Sequence, residues 1–185
     1  PPTDNMIRTN VPSLVDNVSG AYPPLGLLYV AAAIEKVGKH DVAVIDCVAE
    51  NLDPSQIEER IRTLNPEIVG VQAITFSIVD AYNVARLVKR RDEKIKVLFG
   101  GPHANLFPEE TLSLSEVDYI LLGEGKNNVV DFLDKLEKGK DLLTVKGSAV
   151  LDDNGNVKFG PPNDFIQDLD TIPIPARHLV NQKLY

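Results

Sequence analysis

The sequence predicts an α/β domain built on a doubly wound parallel sheet, followed by a β-hairpin and an extended Pro-rich tail. Three observations carry this. Short β-branched runs alternate with runs of helical period from Leu25 to Glu137, the pattern of right-handed crossovers with helices on both faces of a sheet. The strand-like runs end in small or polar residues, most abruptly at Gly100-Gly101-Pro102 after Lys96-Val97-Leu98-Phe99. Beyond Gly139 the pattern changes: Asn154-Gly155 stands between two apolar runs, a hairpin signal.

Pro1 to Tyr22 lacks periodicity and reads as a loop. Pro23-Pro24 precede a helix over Leu25–Val37, with Leu27, Leu28, Val30, Ala31, Ile34 and Val37 on a broad apolar face and Gly38 at its end. Val42, Val44 and Ile45 are β-branched and predict a strand over Asp41–Ile45. Asp53 is an N-cap with Pro54 in the first turn, opening a helix to Leu64 that Asn65-Pro66 closes. A strand over Glu67–Val71, a loop over Gln72–Ser77 and a helix over Ile78–Arg91 follow. Ile95–Phe99 is the next strand, Pro108 starts a short helix toward Leu114, Val117–Leu122 is another strand, and Asn127–Glu137 is a helix. Four strands are visible where five are ordinary, so one is expected before Pro1. Gly147–Leu151 and Val157–Phe159 form the hairpin. Pro161, Pro162, Pro173 and Pro175 keep the remainder extended, draped on a surface or leading to another domain.

With 185 residues, 43% hydrophobic and 25% charged, the chain holds one sizeable core. A net charge of −8 argues against a general nucleic-acid surface. No apolar run spans a bilayer and no secretory signal is visible, so cytoplasmic location is the default. The single cysteine, Cys47, excludes an intrachain disulfide and a cysteine-rich zinc or iron–sulfur site built from this chain alone. There is no G-x-G-x-x-G after a strand, no Walker A sequence, and no metal-ligand spacing of His, Asp or Glu.

Ligands of open α/β sheets collect beyond the carboxyl ends of the strands. The residues there are Asp46, Cys47, Val48 and Asn51; Thr75, Phe76 and Ser77; Gly100, Gly101, Pro102 and His103; and Gly123, Glu124 and Gly125. Glycines and hydroxyls suit close backbone approach and a few hydrogen bonds. Each residue also has a plain structural role. The glycines turn the chain; Thr75 and Ser77 cap a helix; Asp46 bonds its own backbone; Cys47 is a small buried apolar residue; His103 is a loop histidine; and Glu124 precedes a helix. No catalytic residue and no metal ligand is assigned.

Tyr22-Pro23-Pro24-Leu25-Gly26-Leu27-Leu28-Tyr29, Val69-Gly70-Val71 with Thr75 and Ser77, Gly100-Gly101-Pro102-His103-Ala104, Gly123-Glu124-Gly125, Pro108-Glu109 and Ile172-Pro173-Ile174-Pro175-Ala176-Arg177 together resemble a known family. It is the cobalamin-binding domain in front of the barrel of cobalamin-dependent radical S-adenosylmethionine proteins, among them the anaerobic magnesium-protoporphyrin ester cyclases. The resemblance implies a flavodoxin-like sheet of order 2-1-3-4-5 whose first strand ends in Asn-Pro-Pro. Pro1-Pro2 look like that ending, which places the central strand upstream. It implies a Rossmann-like cobalamin-binding domain over residues 1–140, a hairpin appendage over 141–162, and a linker over 163–185 toward a radical S-adenosylmethionine barrel in the same polypeptide. That barrel would hold S-adenosylmethionine and a 4Fe-4S cluster.

The cobalamin tail would pass Gly100 and Gly101 and bond Thr75 and Ser77, with the Asp46–Asn51 loop under the corrin. Many such domains carry Asp-x-His-x-x-Gly in that loop. Here Asp46 is kept, Val48 stands at the histidine position and Asn51 at the glycine. The expectation is base-off cobalamin without a histidine ligand, in a non-catalytic part of a methyltransferase or cyclase. The alternative is a flavodoxin-like partner-binding or regulatory module without cobalamin.

Overall fold

A computed structural model describes residues 22–164 and 166–185. The loop expected over Pro1–Tyr22, Tyr22 apart, and the strand ending at Pro1-Pro2 lie outside the described residues. Helix α1, Leu25–Val37, ends at Gly38, whose φ of 68° lets its N–H return to the Glu35 carbonyl. Helix α2, Pro54–Leu64, begins with a reciprocal cap: Asp53 accepts from the Gln56 N–H at 2.9 Å, and the Gln56 side chain accepts from the Asp53 N–H at 2.9 Å. Strand β1, Ile68–Gln72, leads through a 3₁₀ turn at Thr75–Ser77 into α3, Ile78–Arg91. Strand β2 is Lys96–Gly100, followed by α4, Pro102–Leu106, and α5, Pro108–Leu112. Strand β3, Tyr119–Leu121, precedes α6, Gly125–Glu137, and the hairpin is β4, Ser148–Leu151, with β5, Val157–Phe159.

The sheet runs β1-β2-β3-β4-β5. Strands β1 to β3 are parallel, in the register Val71↔Phe99↔Ile120. The hairpin extends this parallel core with two antiparallel strands, Ile120 facing Ala149 and Ala149 facing Phe159. Gly147, at φ 74°, makes the reversal, and its carbonyl accepts the Leu122 N–H at 2.7 Å.

The period of two in β2 divides the core. Val97 and Phe99 enter the layer formed by Ile57 and Ile61 of α2 and Ala81, Val84 and Val88 of α3. Leu98 points the other way, into Leu121, Val129 and Phe132, with Val30 and Ile34 of α1 behind them. Phe99 and Phe132 are fully buried; each contributes on the order of 2–3 kcal/mol of transfer free energy.

Two expectations are corrected. The strand over Asp41–Ile45 pairs with no described strand. Val42 and Val44 pack on Ala31 and Ala32 of α1 instead. β-branched residues favour extended chain, but a ladder needs a hydrogen-bonding neighbour, and no described strand lies beside this segment. Second, Gly100-Gly101-Pro102-His103 is not a plain loop. Pro102 sits at the start of α4, where its missing N–H costs nothing.

The tail is draped on the domain. Ala176 is buried against Ala31 and Ala32, and its N–H donates to the Leu28 carbonyl at 3.0 Å. His178 Nε2 lies 2.9 Å from Glu35 Oε1, and the Tyr185 hydroxyl donates to Asp46 Oδ2 at 2.7 Å.

Candidate functional site

A cavity of about 180 Å³ opens at the carboxyl ends of β1 and β2, between the first turns of α1 and α6. Its walls include Gly26, Gly70, Gly100, Gly101, Gly123 and Gly125. That is half of the chain's 12 glycines at one place. Leu27, Val30, Leu98 and Val129 supply apolar wall, and Lys126 and Glu124 stand among the lining residues. Gly70 is the most telling. It interrupts a β-branched strand, is exposed, and a Cβ built on it meets nothing within 4 Å. A glycine inside a strand weakens it, and here it leaves open room beside the cavity.

Gly101 joins two of the strand-end loops. Its φ is 97°, and a Cβ there would lie 2.9 Å from the Ala73 carbonyl oxygen. The Ala73 N–H donates to the Gly100 carbonyl at 2.7 Å, and the Ala73 carbonyl accepts from the His103 N–H at 3.0 Å. Backbone closeness of this kind admits only glycine.

Five of the residues expected from sequence line the cavity: Gly100, Gly101, Gly123, Glu124 and Gly125. Thr75, Phe76 and Ser77 form the adjoining 3₁₀ turn, with Phe76 58% exposed and Ser77 buried at the N-cap of α3 without a side-chain cap bond. Thr75 Oγ1 is 3.3 Å from His103 Nδ1. His103, expected as a loop histidine without a partner, is buried in α4, with Tyr82 Oη 3.4 Å from Nε2 and Glu110 Oε1 3.7 Å from it. Glu124 is ion-paired with Lys126, whose ammonium stands 5.5 Å from the centre of the Tyr29 ring. The Gly123 N–H donates to Asn105 Oδ1 at 2.8 Å, holding α4 to the start of α6.

The Asp46–Asn51 loop stands outside the cavity lining. Asp46 Oδ1 accepts from the N–H groups of Val48 and Ala49, each at 3.1 Å, which is the local backbone role read from its type. Cys47 is buried, and burial pushes its thiol above the ordinary range. Val48 is 41% exposed, and Asn51 takes φ 49°. Among the described residues no group of three or more His, Cys, Asp or Glu is placed to hold a metal ion, and no helix is long and apolar enough to cross a membrane.

Sequence reading missed Gly26, Gly70, Tyr29 and Lys126 as lining residues. Gly70 carried a signal, a lone glycine within Ile68-Val69-Gly70-Val71. Lys126 carried none.

A glycine-walled, largely apolar cavity at the ends of parallel strands, between two helix N-termini, defines a small-molecule-binding domain of the doubly wound α/β class. The chain belongs to the B12 binding domain family, whose model matches residues 12–133. It is 37% identical over 186 residues to an uncharacterized methyltransferase of Pyrococcus horikoshii, covering 100% of this chain and 38% of that protein. It is 30% identical over 170 residues to the anaerobic magnesium-protoporphyrin IX monomethyl ester cyclase of Rubrivivax gelatinosus, covering 90% of this chain and 31% of that protein. The chain therefore spans about a third of the length of these relatives. Its fold matches part of the cobalamin-dependent S-adenosylmethionine radical enzyme OxsB, solved with aqua-cobalamin and S-adenosylmethionine bound. That match has a TM-score of 0.77 at 19% identity and covers 88% of this chain and 23% of OxsB.

Proposed function

We propose that this chain holds cobalamin for a radical S-adenosylmethionine domain of the same polypeptide. The observation that carries this is the gathering of six glycines around one cavity in a chain of the B12 binding domain family. At about 180 Å³ the cavity is smaller than the roughly 300–1,000 Å³ of a drug-sized site. It suits the narrow nucleotide tail of the cofactor, not its macrocycle. The residues fit: Gly70 leaves space that any side chain would occupy, and Leu27, Val30 and Val129 give a planar ring apolar walls. Exposed Phe76 and Val48 offer apolar surface outside it for the corrin, with Thr75 and Ser77 beside the tail and the Asp46–Asn51 loop below.

Cobalamin supplies alkyl-transfer and one-electron cobalt chemistry when bound; this chain's residues bind and orient it. Valine has no donor atom, so Val48 would offer no protein ligand to cobalt from its place in this loop, and a nucleotide tail held in the cavity would leave the cofactor base-off. Among the described residues no strand pairs with Asp41–Ile45 or with the outer edge of β1, which fits an order 2-1-3-4-5 in which the first strand lies between them. Residues 163–185 then serve as the linker, and the full enzyme is of the methyltransferase or cyclase class.

The test is to mix the chain with hydroxocobalamin, desalt it, and record the visible spectrum beside circular dichroism. Retained cofactor with a base-off spectrum is the expected result. A folded chain that retains none, with and without an upstream strand, would favour the module that binds partners without cobalamin.

A further inference from the structure

We propose that His103 is a positioning residue that turns the Thr75 hydroxyl into a fixed hydrogen-bond acceptor for the ligand, on the reading of the adjoining cavity as a cobalamin site. His103 is only 4% exposed, and its imidazole is enclosed by polar and aromatic neighbours. Phe107 lies against it at 5.0 Å between ring centres, and Tyr82 meets it edge-on at 6.3 Å. Burying a polar ring costs free energy unless its nitrogens are bonded, and an apolar side chain would fill the space without that demand. Both nitrogens are met: Nδ1 by Thr75 Oγ1 at 3.3 Å and Nε2 by Tyr82 Oη at 3.4 Å. His103 also grips the same loop through its backbone, its N–H donating to the Ala73 carbonyl at 3.0 Å.

The Glu110 carboxylate sets the direction of these bonds. A carboxylate only accepts, and at 3.7 Å from Nε2 it favours the proton on that nitrogen. The Tyr82 oxygen, 3.4 Å from Nε2, accepts from the same N–H. A neutral imidazole protonated at Nε2 accepts at Nδ1. Thr75 therefore donates inward, and its oxygen, exposed in the 3₁₀ turn after β1, keeps lone pairs to accept with. The complementary ligand group is a donor, an amide N–H or a hydroxyl, both of which cobalamin carries. His103 acts through Thr75 and does not itself touch the ligand.

Two readouts test this. Nitrogen-15 spectra of the histidine rings in the ligand-free chain report the tautomer. Equilibrium dialysis against hydroxocobalamin reports affinity for wild type, Thr75→Val, Thr75→Ser, His103→Phe and the Thr75→Val/His103→Phe double variant. The expected results are an Nε2–H tautomer and about tenfold weaker binding for Thr75→Val and for His103→Phe. The double variant should be no weaker than either single one, and Thr75→Ser should bind like wild type. Glu110→Gln, which removes the carboxylate beside Nε2, is measured alongside in case His103→Phe does not fold; it should mix the tautomers and weaken binding about threefold. An Nδ1–H tautomer, or losses that add in the double variant, would overturn the proposal while leaving the cobalamin reading intact. Wild type that retains no cobalamin would overturn both.

Discussion

Tyr185 and Asp46 stand 139 residues apart in the sequence, yet the Tyr185 hydroxyl donates to the Asp46 carboxylate at 2.7 Å. Asp46 thus spends one oxygen on the N–H groups of its own loop and the other on the tail. The tail that runs along α1 is in this way tied to the loop proposed to lie beneath the corrin.

Tyr185→Phe should raise amide exchange in residues 46–51 and lower stability by about 0.5–1.5 kcal/mol, the usual net worth of one hydrogen bond. Burial, and then the bond to Asp46, push the Tyr185 hydroxyl well above the ordinary tyrosine range. Its folded-state pKa therefore exceeds its unfolded one, so the stabilisation is fully present below about pH 10 and is lost as pH rises further. Urea melts of wild type and Tyr185→Phe at pH 7 and pH 11 check the sign: the gap should shrink at the higher pH.

Gly101→Ala should destabilise the chain by about 1–3 kcal/mol, because φ 97° is closed to side chains and the new methyl would sit 2.9 Å from the Ala73 carbonyl oxygen. Both strand-end loops should loosen together, since Ala73 bonds the Gly100 carbonyl and the His103 N–H. Gly139→Ala is the control, with φ 59° and open space around the new methyl; it should cost only the backbone share. Thermal unfolding of the two variants separates steric closeness from backbone strain.

Local features of the fold were legible in sequence where the chemistry was local. Asp53 and Pro54 announce the start of α2, and Gly38 announces the end of α1. The parallel order of β1 to β3 follows from alternation with helices. Asp41–Ile45 is extended, as its β-branched residues report, but they do not report a neighbour, and no described strand lies beside it. Helix α4 was hidden because Gly-Gly-Pro reads as a break, though Pro102 is also a good first helical residue. The burial of His103 was out of reach: its partners Thr75 and Tyr82 lie 28 and 21 residues away, and only the fold brings them together. Gly100, Gly101, Gly123 and Gly125 were visible one by one at strand ends; that they share one cavity with Gly26 of α1 and Gly70 of β1 is a property of the fold.

Val48→His should convert the proposed site from one without a protein ligand to one with a nitrogen ligand. The Val48 side chain is 41% exposed and its loop is already fixed by Asp46, so the substitution should leave folding unchanged. The visible spectrum of retained hydroxocobalamin should then shift toward nitrogen ligation in the variant and show no protein nitrogen in wild type. Identical spectra would place the cobalt away from this loop. Nitrogen ligation in wild type would point to another donor.

Gly70→Ala sets stability against binding. Gly70 lies in the middle of β1, where a residue with a side chain loses less backbone entropy on folding and has a higher strand propensity. Its Cβ position is clear of any atom within 4 Å, so alanine meets no clash. The variant should therefore be more stable by about 0.5–1 kcal/mol. The same methyl projects into the 180 Å³ cavity, and a larger side chain, Gly70→Val, would occupy more of it. Hydroxocobalamin retention should fall from wild type to alanine to valine while the melting temperature rises or holds. A merely structural glycine predicts the opposite pairing, lower stability with unchanged retention. If retention stays constant across the series, the tail does not enter between β1 and α1, and the cavity is not the binding site.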